Sequence, residues 1–286
     1  MDPPKVYIVI YSLYHHIYQL SLSVREGLES KGINATIFQV PETLSDEILE
    51  KMRAPPRPDL PVINVNQLPD ADGLIFGIPT RFGSFPAQIK SLLDASGHLW
   101  AQGSLQRKFV TTFFSSASQH GGQETTALTA ISYFAHHGLM YVPFGFANAN
   151  MFDNDQVIGG SAYGSGTITG GDGARQASEI ELRIAKNQGE NFGEILNTYV
   201  RGQHRIASGD GKHHSNPNNR LSVSLSHQGN LQAIDSALAA EQTAYAVASG
   251  KATQLKPSSP VAEKTIVKRR KRSLWLCCIG CRGDND

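Results

Sequence analysis

Residues 5–32, KVYIVIYSLYHHIYQLSLSVREGLESKG, hold the pattern that decides the fold. Residues 6–11, VYIVIY, form a continuous β-branched and aromatic run, as expected of a strand buried on both faces. Ser12 follows as a turn and helix-cap residue. Ile17, Leu20, Val24 and Leu28 then recur at helical spacing, predicting a helix over 17–30 that Lys31 and Gly32 stop. A buried strand running straight into an amphipathic helix is the opening unit of a parallel sheet covered by helices.

The alternation continues downstream. Residues 34–40 (NATIFQV) predict a second strand, and the Pro-rich stretch 53–61 a connector. Residues 73–78 (GLIFGI) predict a third strand and 86–95 a helix with Pro86 in its first turn. A fourth strand over 109–114, a helix over 123–137 and a fifth strand over 139–143, ended by its own proline, complete the series. Residues 145–177 are long and rich in Gly, Asn and Ser. Ser178 then caps a last helix over 179–199, with Glu181 as its capping-box partner. The expected fold is α/β: a doubly wound, five-stranded parallel sheet with helices on both faces. In such a sheet the ligand lies at the carboxyl ends of the strands, so the loops after the first, third and fourth strands are the informative ones.

The 286 residues carry a net charge of +1 that hides an asymmetry. Residues 1–200 hold 13 Lys/Arg against 19 Asp/Glu, a net of −6, whereas 201–286 hold 13 against 6, a net of +7. An acidic body with a basic tail points to the tail as the part that meets an anionic partner. All three cysteines, Cys277, Cys278 and Cys281, fall in that tail, which excludes a disulfide-framework domain. The N-terminus lacks the basic flank and cleavage site of a signal peptide, and no apolar run approaches the ~20 residues that span a bilayer. The body is expected to fold in a reducing cytosol, in three parts: a domain over 1–201, a low-complexity disordered linker over 202–267, and a polybasic, cysteine-rich tail over 268–286.

The first loop, Ser12, Leu13, Tyr14, His15, His16 and Ile17, joins a buried strand to a helix start, where backbone N–H groups beside a Ser hydroxyl make an anion site. An ordinary βα turn with a Ser cap reads equally well. The adjacent histidines lack an acidic or Cys partner, so no metal site is expected. The loops at 79–83 and 115–123 add hydroxyls, amides and N–H groups. These suit a ring with many hydrogen-bonding edges and a phosphate tail better than acid–base hydrolysis. No G-x-G-x-x-G or P-loop follows the first strand, against a nicotinamide Rossmann domain or an NTPase. Trp100 and the pair His136–His137 are expected to flank the same end of the sheet; singly, they read as core packing and a helix C-terminal cap.

Taken together, KVYIVIYSLYHHI, FQVPETL, IFGIPTRFG, HLWAQGSL, GGQETTALTAI, AHHG, VPFGF and GGSAYGSGTITGGDGARQAS, in that order, resemble the WrbA-type NAD(P)H:quinone oxidoreductases, their fungal and plant members above all. The resemblance covers roughly residues 5–200. It implies a flavodoxin-like fold, FMN as cofactor, NADH or NADPH as electron donor, a quinone as substrate, a homodimer or homotetramer, and a role in oxidative-stress protection. It implies a ping-pong order, and no nucleic-acid partner is expected. By the same resemblance the phosphate loop falls on Ser12, Leu13, Tyr14, His15, His16 and Ile17. The ring-contacting segment falls on Thr80, Arg81 and Phe82, and the second flavin loop on Ser115, Ser116, Ala117, Ser118, Gln119 and His120. His136 matches a flavin-side histidine, Tyr14 a nicotinamide contact and Trp100 an aromatic near the quinone. The long Gly-rich segment is the insertion that separates this family from short flavodoxins.

The family usually has glycine at the positions of His15, Ala117 and His120. A side chain there either blocks the close approach of backbone to cofactor or forces a different φ, although His15 could instead donate to the phosphate. These departures motivate an alternative: a flavodoxin-fold scaffold or regulator at a membrane, with FMN binding weakened or lost. In the tail, five consecutive cations, residues 268–272, precede Leu274, Trp275 and Leu276 and then the cysteines. Each cation near an anionic leaflet gains on the order of 1 kcal/mol, and one acyl chain plus a polybasic patch anchors stably. S-acylation of Cys277, Cys278 and Cys281 at the cytoplasmic face of a membrane, the plasma membrane first, is therefore expected, with the cytoplasm as the alternative location. Some fungal members of the family carry a similar tail. A nuclear-localisation signal, a C-x-x-C redox pair and a zinc site compete for the same residues.

Overall fold

The computed structural model describes residues 3–208. The expectations for the linker beyond residue 208 and for the tail with Cys277, Cys278 and Cys281 lie outside the described residues. The strands are β1 (Val6–Ile10), β2 (Ala35–Gln39), β3 (Gly73–Pro79), β4 (Phe109–Ser116), β5 (Met140–Tyr141), β6 (Gly159–Ser161) and β7 (Gly164–Ile168). The helices are α1 (His16–Ser30), α2 (Asp46–Lys51), α3 (Ala87–Asp94), α4 (Gly97–Gln102), α5 (Gln123–His136) and α6 (Glu179–Ala207). The fold is flavodoxin-like: β2, β1, β3 and β4 run parallel in that spatial order, and the order reverses between β1 and β3.

Every residue of β1, β3 and β4 is buried, as expected for strands covered on both faces. Ile8, Ile10, Ile75 and Phe113 pack under α1 and α6, whereas Val9, Phe76, Val110 and Phe114 pack under α3, α4 and α5. The crossing of α1 and α6 is close enough to require glycine. A Cβ on Gly27 would lie 2.0 Å from the Lys186 carbonyl oxygen, and one on Gly189 would lie 2.1 Å from that of Val24.

Two features differ from the five-strand expectation. The fifth position in the sheet is split. Met140 and Tyr141 pair with the start of β4, at Phe109 and Val110. The chain then departs at Pro143, which has no N–H to continue the ladder. It returns as β7 beside the far end of β4, pairing Phe114 with Gly166 and Ser116 with Ile168. β6 adds antiparallel to β7 as an edge, so the sheet has seven strands. The second difference is α6, which continues past 199 and through Gly202 to Ala207. Residues 202–207 are therefore helical rather than disordered. His204 and Arg205 sit in the last turn, where cations complement the helix dipole.

Gly-rich strands have few side chains to bury, and β6 and β7 are held by polar side chains instead. Gln123 of α5 donates to the Thr167 carbonyl and accepts from Gly160 N–H, at 3.0 and 2.7 Å. Gln188 of α6 accepts from Ser165 N–H at 2.8 Å and donates to the Thr112 carbonyl at 2.8 Å. Glu181 forms the expected capping box with Ser178 and also accepts from Gly159 N–H, Ile168 N–H and the Thr167 hydroxyl. Its carboxylate is fully buried and satisfied.

Candidate functional site

At the carboxyl ends of β1, β3 and β4 the structure opens a cavity of about 430 Å³, at the β1/β3 switch point where ligands of such sheets bind. Ser12, Leu13, Tyr14, His16 and Ile17 line one side, Pro79, Thr80 and Arg81 a second, Ser115, Ser116 and Ala117 a third, and residues 169–173 the fourth. Tyr18 N–H, in the first turn of α1, is capped by the Ser12 hydroxyl at 3.0 Å. The N–H groups just before it have no intrahelical partner and bring the positive end of the helix to the cavity. Thr80 is set by hydrogen bonds of its hydroxyl to Thr126 and to the Gly122 carbonyl, and Arg81 donates to the Thr80 carbonyl at 2.9 Å.

The two histidines of the first loop turn opposite ways. His15 takes φ +67°, the left-handed conformation a glycine would adopt, and its Nε2 bonds the Pro56 carbonyl at 3.0 Å, outside the cavity. Its backbone thus keeps the glycine geometry, and the imidazole does not fill the site. His16 is buried, and its Nε2 lies 3.1 Å from the Arg175 carbonyl. A carbonyl only accepts, so that nitrogen carries the proton. Burial pushes the His16 pKa below the usual histidine value, against the opposing bonds to the Arg175 and Gly173 carbonyls. Tyr14 is exposed, its hydroxyl donating to the Met52 carbonyl at 3.0 Å.

Other expected contacts are placed elsewhere. Ala117 lines the cavity, but Gln119 and His120 line a separate depression with Gly122, Ile158 and Gly160. Ser118 lines neither; its carbonyl accepts from the Ser116 hydroxyl. Phe82 is fully exposed at φ +51°, at the tip of a turn closed by reciprocal backbone bonds between Arg81 and Ser84. Trp100 and His136 do not flank the same end of the sheet as the cavity. They line a second cleft, of about 450 Å³, with Phe85, Leu93, Tyr133 and His137. α5 begins beside the end of β4 and runs back for 14 residues, or roughly 20 Å, so His136 sits at the amino ends of the strands. The cavity and the cleft share no lining residue.

In the second cleft His137 is buried. Its Nε2 donates to the Ser96 hydroxyl at 3.0 Å, because that hydroxyl spends its own proton on the Leu93 carbonyl. Among the described residues its Nδ1 meets no partner. Burial, then the neighbouring His136, lowers the His137 pKa.

Residues 169–173 were not readable as a wall of the site. The glycine pair at 170 and 171 marks a loop locally, but only the pairing of β7 with β4 carries that loop to the cavity.

The NADPH-dependent FMN reductase family matches residues 16–153. The NAD(P)H quinone oxidoreductase PST2 of Candida albicans is 48% identical over 192 residues, covering 67% of this chain and 96% of the relative. The quinone-oxidoreductase QR2 of Triphysaria versicolor is 52% identical over 187 residues, covering 65% and 91%. Among solved structures, a WrbA-like flavodoxin from Agrobacterium tumefaciens, 22% identical, covers 68% of this chain and 98% of its own with a TM-score of 0.49.

Proposed function

The chain belongs to the NAD(P)H quinone oxidoreductase family, and from that premise we propose that it is an FMN-dependent NAD(P)H:quinone oxidoreductase. The observation that carries this reading is the cavity at the β1/β3 switch point. Its donors are the N–H groups at the start of α1, the hydroxyls of Ser12 and Ser115, and the exposed Arg81; the Thr80 and Ser116 hydroxyls, which donate within the protein, offer oxygens as acceptors. That set fits a phosphate at the helix terminus and a ring edge against residues 80–81 and 115–117. The left-handed backbone at His15 leaves the loop as a glycine would, which favours retained over lost FMN binding. When bound, FMN supplies the two-electron chemistry between nicotinamide and quinone. The chain's own part is to hold the phosphate through residues 12–17, orient the ring edge through Thr80 and Arg81, and present Tyr14 at the rim to a nicotinamide.

The purified chain should be yellow and oxidise NADH or NADPH when a quinone is added. A colourless protein that ignores added FMN would falsify this assignment and leave the scaffold reading in its place.

Trp100 and His136 enter the reading through assembly. Trp100 is about half exposed and His136 is exposed, in a cleft remote from the cavity of their own chain. A homodimer or homotetramer that sets this cleft of one protomer over the cavity of another would let Trp100 wall the quinone position and His136 hydrogen-bond the ring or the quinone.

The tail supports tethering by its sequence: a run of five cations, an interfacial Leu-Trp-Leu and three cysteines. Two-electron quinone reduction at a cytoplasmic membrane face would act against oxidative stress. Replacing Cys277, Cys278 and Cys281 by Ser should move the protein from the membrane to the soluble fraction, and unchanged fractionation would count against acylation.

A further inference from the structure

Three of the five residues in the wall at 169–173 are glycines, so it is made largely of backbone. Gly170, Gly171 and Gly173 offer no side chain to pack, and Gly171 has no neighbour within 4 Å of a would-be Cβ. The loop closes on itself through Arg175 N–H to the Thr169 carbonyl at 2.9 Å, Gly173 N–H to the Gly170 carbonyl at 3.1 Å and Ala174 N–H to the Asp172 carboxylate at 3.0 Å. Among the described residues, the N–H groups of Gly170, Gly171 and Asp172 meet no acceptor, so the stretch of chain lining the cavity holds unspent donors.

A loop this poor in side chains has to be held from its base. Arg175 does this four ways. Its Nη1 donates to the Ile168 carbonyl at 2.5 Å and to Glu181 Oε2 at 2.8 Å, and its Nη2 donates to the Val157 carbonyl at 2.8 Å. Its own carbonyl accepts from His16 Nε2, and His16 lines the same cavity at the first turn of α1. One residue therefore ties the end of β7, the approach to β6, the buried anchor Glu181 and the anion-facing start of α1 to the base of a single loop. Arg175 does not itself line the cavity.

We propose that Arg175 is a positioning residue for the cofactor, latching residues 169–173 across the cavity from the start of α1 so that their N–H groups help hold FMN. The proposal rests on the FMN reading above. It differs from a purely structural ion pair in what removal should do. Without Arg175, Glu181 keeps Ser178 N–H, Gly159 N–H, Ile168 N–H and the Thr167 hydroxyl. The bonds that remain hold β6, β7 and α6 to the carboxylate, and the backbone bonds of residue 175 to Thr169 and His16 also remain. What is lost is the side-chain brace from the base of the loop to the Ile168 and Val157 carbonyls and to Glu181.

The test is FMN titration of the full chain by flavin fluorescence, paired with denaturation of the apoprotein. R175M should weaken FMN binding by about tenfold or more and speed its dissociation, as expected from loss of charge-assisted bonds that favour the bound loop. Stripping the cation from the buried Glu181 carboxylate should also lower the apoprotein midpoint, so affinity is read well below the unfolding transition, where global stability does not enter it. R175K keeps a charge on Glu181 but cannot span the Ile168 and Val157 carbonyls, so it should fall between the two. K186A, on the helix that carries Glu181, breaks a surface pair with Glu26 of α1 and should leave FMN affinity unchanged. Parent affinity and parent dissociation rate in R175M, measured where the apoprotein is folded, overturn the latch. If R175M does not fold, R175K decides: parent affinity there overturns the proposal as well. A parent chain that binds no FMN overturns the cofactor reading itself, and the latch with it.

Discussion

The imidazole of His15 rides on a backbone bent to φ +67°, where a non-glycine residue is strained by roughly 1–2 kcal/mol. His is among the side chains that tolerate this region best, and the bond to the Pro56 carbonyl offsets part of the cost. Because the backbone already has the glycine shape, H15G should leave FMN affinity within about threefold of the parent. H15V places a β-branched side chain in the same well and should lower stability by about 1–2 kcal/mol on chemical denaturation. The two buried histidines set a pH dependence. Burial depresses the pKa of both His16 and His137, so the unfolded chain binds more protons than the folded one below the ordinary value of 6.5. Stability is full above that pH and declines as the pH falls through it toward the folded-state values. The melting temperature should therefore drop between pH 7.5 and 5 more than it does in H137Q, which retains a donor for Ser96 without a titrating ring; parallel curves would remove His137 as a contributor.

Among the elements, β7 is the one whose sequence hides its role. β1, β3 and β4 are apolar runs, and a buried strand is legible in them because its two covered faces demand such residues. GSGTI carries no such run, and its place in the sheet is dictated by Gln123, Gln188 and Glu181, which lie far off in the chain. Small residues there are a requirement of fit. A Cβ on Gly164 would stand 1.9 Å from the Thr112 carbonyl oxygen of β4, a backbone atom that cannot swing aside. G164A should accordingly cost about 3 kcal/mol or more in a denaturant titration. Among the described residues a Cβ on Gly202 of α6 meets nothing within 4 Å, and G202A should instead stabilise by up to about 1 kcal/mol. The six-residue helices α2 and α4 escaped the sequence pattern because so few turns carry too little periodicity to register.

For the molecule as a whole, the start of α1 and the loops after β3 and β4 were readable as one site because the switch-point rule fixes where those loops converge. The relation of Trp100 and His136 to that site was not readable, since it depends on the direction in which α5 runs. The proposed pairing of the cleft of one protomer with the cavity of another has a complementation test. A Ser12→Ala/Arg81→Ala chain and a Trp100→Ala/His136→Ala chain should each be nearly inactive. Co-expressed, they should recover a clear fraction of quinone reductase activity through mixed assemblies, and a mixture no better than its parts would place the whole reaction within single chains. The split fifth strand has a consequence of its own for how the protein is made. A nascent chain that has emerged through α5 carries four paired strands, but the far half of β4 has only one neighbour: Phe114 waits for Gly166, and β7 in turn waits for the carboxylate of Glu181. The cofactor pocket is therefore enclosed only late in synthesis, and the interval before it closes is when an unpaired strand edge lies open to other chains.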